Sequence, residues 1–230
     1  MKEVDAVRER YARRDSQATQ QRYSLLNESA LLPRQEWERA VVRWAKRSGM
    51  APLESRSLLE VGCGAGANLI EFMRLGFQPE NLVGNELLPE RSEAARRLLP
   101  VAVRVIAGDA TQMDVAPQSF DVVLQSTVFS SLLDDAFQQR LADAMWRWIK
   151  PGGGVLWYDF VYDNPTNPDV RGVPLRRIRE LFPQGRVDAR RITLAPPIAR
   201  RVCRVHPSLY TVFNALPLLR THLLCWIEKP

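Results

Sequence analysis

One segment restricts this 230-residue chain more than any other: Leu58-Leu59-Glu60-Val61-Gly62-Cys63-Gly64-Ala65-Gly66-Ala67-Asn68, an apolar run that ends in an acid and is followed by glycines at alternate positions. The order reads as a buried parallel strand turning sharply into a helix. Glycine adopts backbone angles that other residues resist, and it lets a ligand approach main-chain amides with no Cβ in the way.

From residue 57 onward, strand-length apolar runs alternate with amphipathic stretches. The candidate strands are Ser57–Val61, Asn81–Asn85, Val103–Ala107, Phe120–Ser126, Val155–Phe160, Val187–Leu194 and His222–Glu228. Asn68–Leu75, Arg91–Leu98 and Asp135–Ile149 carry helical spacing between them. Strand and helix in alternation predict an α/β fold, a parallel sheet wrapped by helices, with ligand bound at the carboxyl ends of the central strands. Residues 1 to about 50 read as helical. Trp37, Val41 and Trp44 fall on one helical face, with Pro33 expected at the start of that helix and Gly49 at its end, and Tyr23–Glu28 reads as a turn or cap.

The length suits a single domain. We expect residues 1–55 to form a helical cap or lid, 56–160 a ligand-binding core, and 161–230 a substrate-side region with the C-terminal strands. The first ten residues are charged and lack the apolar core of a signal peptide, which predicts a cytoplasmic protein. Cys63, Cys203 and Cys225 lie far apart with no metal-ligand spacing, so reduced thiols are expected and no metal. Asn214, Pro217, Arg220 and His222 interrupt the apolar stretch from Ser208 to Ile227. It reads as a buried helix followed by a strand, with no transmembrane span; the remaining alternative is a weak peripheral contact with a membrane surface.

The net charge of +6 is unevenly placed. Arg171, Arg176, Arg177, Arg179, Arg186, Arg190, Arg191, Arg200, Arg201 and Arg204 are offset by only Asp169, Glu180 and Asp188. Such a run is either a solvated basic face or a surface for an anionic partner: a phosphorylated substrate, nucleic acid or anionic lipid. Nothing resembling a zinc finger, an RNA-recognition sheet motif or a basic zipper accompanies it, which disfavours nucleic acid.

Gly62-x-Gly64-x-x-Ala67, with Glu86 about twenty residues on, satisfies the dinucleotide fingerprint on its face. Four features together favour another ligand. The loop fits a tighter Glu-x-Gly-x-Gly-x-Gly pattern; Glu86 ends the second strand, where a carboxylate can accept both hydroxyls of a ribose; the third strand runs into Gly108-Asp109-Ala110, a second acid where an adenine amino group could donate; and Ser119-Phe120-Asp121-Val122-Val123 announces a fourth strand, followed by a Lys150-Pro151-Gly152-Gly153-Gly154 turn before the fifth. In this order, these residues resemble the class I S-adenosylmethionine-dependent methyltransferases.

That resemblance implies a Rossmann-like three-layer sandwich: a seven-stranded, mostly parallel sheet whose last strand is antiparallel, with accessory N-terminal helices. It implies S-adenosylmethionine as cofactor and S-adenosylhomocysteine as product. Gly62, Gly64 and Gly66 would pass beneath the methionine moiety, with Glu60 supporting the loop and Cys63 packing within it. Glu86 would bind the ribose and Leu87 would lie beside the adenine. Asp109 and Ala110 would define the adenine edge, and Gln125 and Ser126 would face the methionyl amino group or the sulfonium. The pair Asn85-Glu86 departs from the apolar residue and Asp that many members show. Arg22-Tyr23-Ser24-Leu25-Leu26-Asn27, Gln125–Ser131, Trp157–Phe160 with Asn164-Pro165, and Arg171-Gly172-Val173-Pro174 further resemble bacterial methyltransferases of the small-molecule and glycan type.

Methyl transfer from a sulfonium asks the protein to align acceptor, methyl and sulfur and to exclude water, with a general base for an oxygen or nitrogen acceptor. Asp159 and Tyr158, ending the fifth strand, are the first candidates for that base, followed by His206; His222 reads as structural. Tyr11, Arg22 and Tyr23 are candidates for a lid. The expected activity is methylation of a small-molecule or glycan acceptor, anionic if the arginines face it, at oxygen. The alternatives are a methyltransferase-like binding subunit without turnover, and an RNA methyltransferase using the arginine-rich segment. Base amino methylation is disfavoured, because Gln125-Ser126-Thr127-Val128 replaces the Pro-Pro-Tyr-type sequence such enzymes carry. Oligomeric state is not legible.

Overall fold

The computed structural model describes residues 3–14 and 24–230. Seven strands form one sheet: β1 (Leu58–Val61), β2 (Leu82–Glu86), β3 (Arg104–Ala107), β4 (Phe120–Ser126), β5 (Ile149–Phe160), β6 (Arg186–Leu194) and β7 (Arg220–Glu228), in the order β3-β2-β1-β4-β5-β7-β6. β7 runs antiparallel to β5 and β6, and the other pairings are parallel. The class expected from sequence is the class observed.

Alternation along the strands explains why helices cover both faces. Leu59, Val61, Val123, Val155 and Trp157 point to one side, while Leu58, Val122, Leu124 and Leu156 point to the other. The first side is covered by α1 (Glu3–Arg14), α5 (Asp135–Trp148) and α6 (Leu175–Leu181), through Val7, Met145, Trp148, Ile178 and Leu181. The second is covered by α2 (Glu28–Arg47), α3 (Ala67–Leu75) and α4 (Pro89–Leu98), through Trp37, Val41, Trp44, Leu69, Phe72 and Ala95. A strand buried on both faces must be apolar throughout, as Val122-Val123-Leu124 is.

Three local expectations are corrected. Pro33 does not open α2. Asn27 does, its side chain accepting the Ser29 N–H at 3.1 Å, and Pro33 sits inside the helix. The Pro-Gly-Gly turn does not precede β5 but lies within it as an irregularity: Phe120 pairs with Ile149, and Val122 next pairs with Gly154. The stretch after Ser208 is not a buried helix. α7 (Pro196–Val205) and α8 (Ser208–Asn214) lie in the link from β6 to its antiparallel neighbour β7, and α8 buries only Tyr210 before the turn Pro217–Leu219 leads into β7. Among the described residues, no helix is long and apolar enough to cross a membrane.

Candidate active site

A cleft of about 170 Å³ opens at the carboxyl edge of the sheet. Its floor is the ends of four parallel strands: Gly62 after β1, Glu86 to Leu88 at β2, Gly108 to Ala110 after β3, and Ser126 to Val128 at β4. Val4, Val7 and Tyr11 of α1 form one wall, and Phe137 and Leu141 of α5 another. The spacing of Val4, Val7 and Tyr11 sets them on one helical face.

The glycine loop is tied to its neighbouring strand. Glu86 accepts the Gly64 N–H at 2.8 Å through one carboxylate oxygen and the Leu88 N–H at 2.9 Å through the other. A carboxylate has about four lone-pair sites, so two directions remain for incoming hydroxyls. At Gly62 (φ 67°) an added Cβ would come within 2.5 Å of Val128 Cγ2, so the loop lies hard against the turn after β4. At Gly64 (φ 56°) an added Cβ would meet nothing within 4 Å, which leaves the backbone open to a ligand.

Asn85 donates to the carbonyls of Ile106 (3.2 Å) and Gly108 (3.0 Å), stapling the end of β3 to β2. The departure at Asn85 thus serves the geometry of the next loop. Asp109 accepts from the Thr111 N–H and hydroxyl, both at 2.9 Å, and so starts the short turn 110–112 while lining the cleft. Glu60 is buried behind the loop; it accepts from Asn68 Nδ2 at 2.6 Å, and its second oxygen has no partner among the described residues. Burial pushes its carboxyl up to about 8, against the opposing pull of Asn68 and Arg34. Cys63 is also buried, packs towards Gly84, and has its thiol pushed up by burial, so it does not line the cleft.

The turn after β4 is braced from β5. Gln125 accepts the Val128 N–H at 3.0 Å and donates to the Tyr158 carbonyl at 3.2 Å. Thr127 sits in the left-handed region (φ 58°), a conformation that costs energy for a branched residue and is held here by its N–H bond to the same carbonyl at 2.8 Å. Gln125 is therefore a buried brace off the cleft, whereas Ser126 and Thr127 line it.

None of the three candidate bases lines the cleft. Asp159 is fully buried, accepting the N–H groups of Ser130 (3.1 Å) and Phe160 (3.0 Å); burial pushes its carboxyl up to about 7. Tyr158 points to the opposite face, its hydroxyl 2.9 Å from Thr193 Oγ1 and its ring stacked on His222 at 5.0 Å; burial raises its phenol. His206 caps α7 on the surface, and its Nδ1 accepts the Ser208 N–H at 3.2 Å. Period 2 along β5 is the physical reason: with Trp157 and Asp159 facing one side and Tyr158 the other, neither side chain projects off the strand end into the cleft. His222 lies within β7 against Tyr158, burial lowering its imidazole to about 4.

Tyr11 does reach the cleft, its hydroxyl 3.4 Å from Ser131 Oγ and its ring beneath the Arg91 guanidinium at 4.6 Å. The buried Glu3–Arg10 ion pair anchors α1. Glu3 accepts the Leu133 N–H at 2.8 Å, and Arg10 donates to the Ser131 carbonyl at 3.1 Å. Arg22 and Tyr23 lie outside the described residues. Val4, Val7, Arg91 and Phe137 line the cleft without having been singled out from sequence. Only the amphipathic spacing of α1 and α5 carried a signal for any of them.

Open backbone at Gly64, an acid at the end of β2 with lone pairs to spare, and a second acid after β3 fit a nucleoside carrying a short polar tail. The strand order, with its antiparallel β7, sets this loop at the carboxyl edge of a Rossmann-like sheet. Residues 58–153 match the family model described as a methyltransferase domain.

Among curated relatives, the chain is similar to a sterol 24-C-methyltransferase of Clavispora lusitaniae (31% identical, covering 47% of this chain and 29% of the relative). It is similar to a tRNA N(3)-methylcytidine methyltransferase of Drosophila melanogaster (25%; 48% and 36%) and a fatty-acid O-methyltransferase of Mycolicibacterium smegmatis (31%; 49% and 40%). The chain thus spans 29% to 40% of the length of these relatives. A solved S-adenosylmethionine-dependent methyltransferase from Archaeoglobus fulgidus shares the fold, with a TM-score of 0.58 at 14% identity over 83% of this chain and 94% of that one.

Proposed function

We propose that this chain transfers the methyl group of S-adenosylmethionine to an oxygen of a small-molecule or glycan acceptor in the cytoplasm. The observation that carries the reading is the cleft itself. It is walled by α1 and floored by Gly62 of the loop that Glu86 holds in place. In this reading Gly62, Gly64 and Gly66 run beneath the methionine moiety, Glu86 takes the ribose hydroxyls, Leu87 lies on the adenine, and Asp109 with Ala110 borders its edge. Ser126 lies towards the methionyl end.

The sulfonium of the bound cofactor supplies an activated methyl group. The protein's work is alignment and exclusion of water, worth many powers of ten in rate when the reacting atoms are held in line. Val4, Val7, Phe137 and Leu141 keep the cleft apolar. The Ser126, Thr127, Ser131 and Tyr11 side chains are the hydroxyl-bearing groups that line it and can orient a polar acceptor. The fatty-acid O-methyltransferase relative supports an oxygen acceptor.

The experiment is to incubate the purified chain with isotopically labelled S-adenosylmethionine and panels of hydroxylated small molecules, carboxylic acids, oligosaccharides and RNA. Label in an ether or ester product supports the reading. Label in RNA alone refutes it, and cofactor binding with no turnover on any panel favours a binding subunit.

A further inference from the structure

Among the described residues, five arginines of the basic segment pair with carboxylates, whereas those on α7 do not. Arg171 and Arg177 reach Asp135, Arg176 reaches Glu180, Arg186 reaches Glu228 and Arg190 reaches Asp188. Arg200, Arg201 and Arg204 all lie on α7, and none of them pairs with a carboxylate among the described residues. From Ala189 to Ile227 the chain carries no Asp or Glu at all.

The same segment exposes its apolar side chains. Val205 is 77% exposed, Val212 61%, Leu216 56% and Leu218 91%, and Phe213 is exposed beside them. Isolated exposed leucines are ordinary, but five apolar residues within fourteen positions form a patch. The segment is firmly held. Tyr210 is buried and donates to Glu36 at 2.7 Å, the Ala195 N–H bonds to the Leu219 carbonyl at 2.8 Å, and Arg220 donates to the Asn214 carbonyl at 2.8 Å. A fixed scaffold thus presents these side chains outward.

Basic and apolar groups side by side, with Glu28 near Cys203 as an acid whose charge reaches α7, are complementary to an anionic lipid surface. A symmetric contact between two copies of this face would bring unpaired arginines towards arginines, which disfavours self-association. We propose that α7, α8 and the turn Pro217–Leu219 form a docking face for an anionic lipid bilayer, with Val212, Phe213, Leu216 and Leu218 entering the boundary between headgroups and acyl chains and Arg200, Arg201 and Arg204 meeting lipid phosphates. β6 runs parallel to β1–β5, so α7 leaves it at the sheet edge that also carries the cleft. Docking therefore sets that edge beside the lipid.

The test is co-sedimentation of the full chain with vesicles of phosphatidylcholine alone and of phosphatidylcholine mixed equally with phosphatidylglycerol. The chain should partition onto the mixed vesicles, hardly at all onto neutral ones, and progressively less as salt is added. Arg200→Gln/Arg201→Gln/Arg204→Gln and Phe213→Ser/Leu218→Ser should each lower partitioning by about tenfold or more while keeping wild-type cofactor affinity and unfolding temperature. The proposal is overturned if the wild type ignores anionic vesicles at low salt, or if both variants sediment as the wild type does. It is equally overturned if the face proves to mediate a dimer, lost in Phe213→Ser/Leu218→Ser, in a protein that does not bind vesicles.

Discussion

The Glu86 carboxylate accepts the backbone N–H of Gly64 at 2.8 Å, so the acid that ends the second strand also sets the position of the glycine loop after the first. Its other oxygen holds the Leu88 N–H. Glu86→Ala removes both anchors along with the proposed ribose acceptor. A charged hydrogen bond is worth about 1.5–3 kcal/mol, so S-adenosylmethionine affinity should fall by roughly 10- to 100-fold. Titration calorimetry on a variant that stays folded reads this directly, and an unchanged affinity sinks the assignment of Glu86.

Gly62→Ala should be more damaging than an ordinary glycine substitution. The new methyl group would meet Val128 Cγ2 at 2.5 Å on a backbone with φ 67°. We expect loss of about 2 kcal/mol or more in chemical denaturation. The double variant Gly62→Ala/Val128→Ala should recover the steric part and leave the backbone strain. If the second substitution restores nothing, the contact between loop and turn is not the cause.

Stability should fall as pH rises from about 5 to about 9. Glu60 and Asp159 are pushed by burial to about 8 and about 7, from ordinary values of 4.5 and 3.8. A carboxyl whose folded value is raised stabilises fully below its unfolded value, and that contribution is lost as pH climbs through the folded one. Glu60→Gln, which stays neutral throughout, should flatten the profile of unfolding temperature against pH. A wild-type profile that rises over this range would contradict the burial of these groups.

Asp159→Asn separates a base from a brace. Removing a general base costs about 10²- to 10⁴-fold in rate. A buried carboxyl whose oxygens hold the Ser130 and Phe160 amides is instead a positioning residue for the turn that lines the cleft. We expect kcat to fall by about tenfold or less, with a lower unfolding temperature and with KM for the cofactor little changed. A loss in kcat beyond a thousandfold in a stable variant would restore the catalytic role.

Asp121 supplies the opposite sign at the other end of the sheet. Burial opposes its ionisation, but Lys150 at 2.7 Å and the Ser57 N–H at 2.9 Å outweigh it and hold the carboxyl at about 2. This stabilisation is present above its ordinary value of 3.8 and is lost as pH falls towards 2. Asp121→Asn should therefore destabilise the protein by about 2 kcal/mol at neutral pH and make no difference in strong acid, as urea titrations at the two pH values would show.

Much of this was readable from the chain alone, for reasons that are local. Val122-Val123-Leu124 announces a strand buried on both faces because every position is apolar, and Gly62 and Gly64 announce a turn because their backbone angles are positive. Glu86 and Asp109 follow from where their strands end. The register that brings Glu86 to Gly64, twenty-two residues away, is set by the pairing of β1 with β2. What the tertiary structure alone decided is which side chains share one space. Asp159 stands at a strand end in the sequence, yet packing turns it into the interior behind Ser130; His206 stands in a basic segment, yet the sheet carries it to the outer surface of α7. Val4, Val7 and Tyr11 meet the ends of β1–β4 because Glu3 and Arg10 tie α1 to the backbone near Ser131, over a hundred positions along the chain. Period and backbone preference act between near neighbours and leave a trace in the sequence, whereas burial and facing come from contacts between distant elements and appear only once the chain has folded.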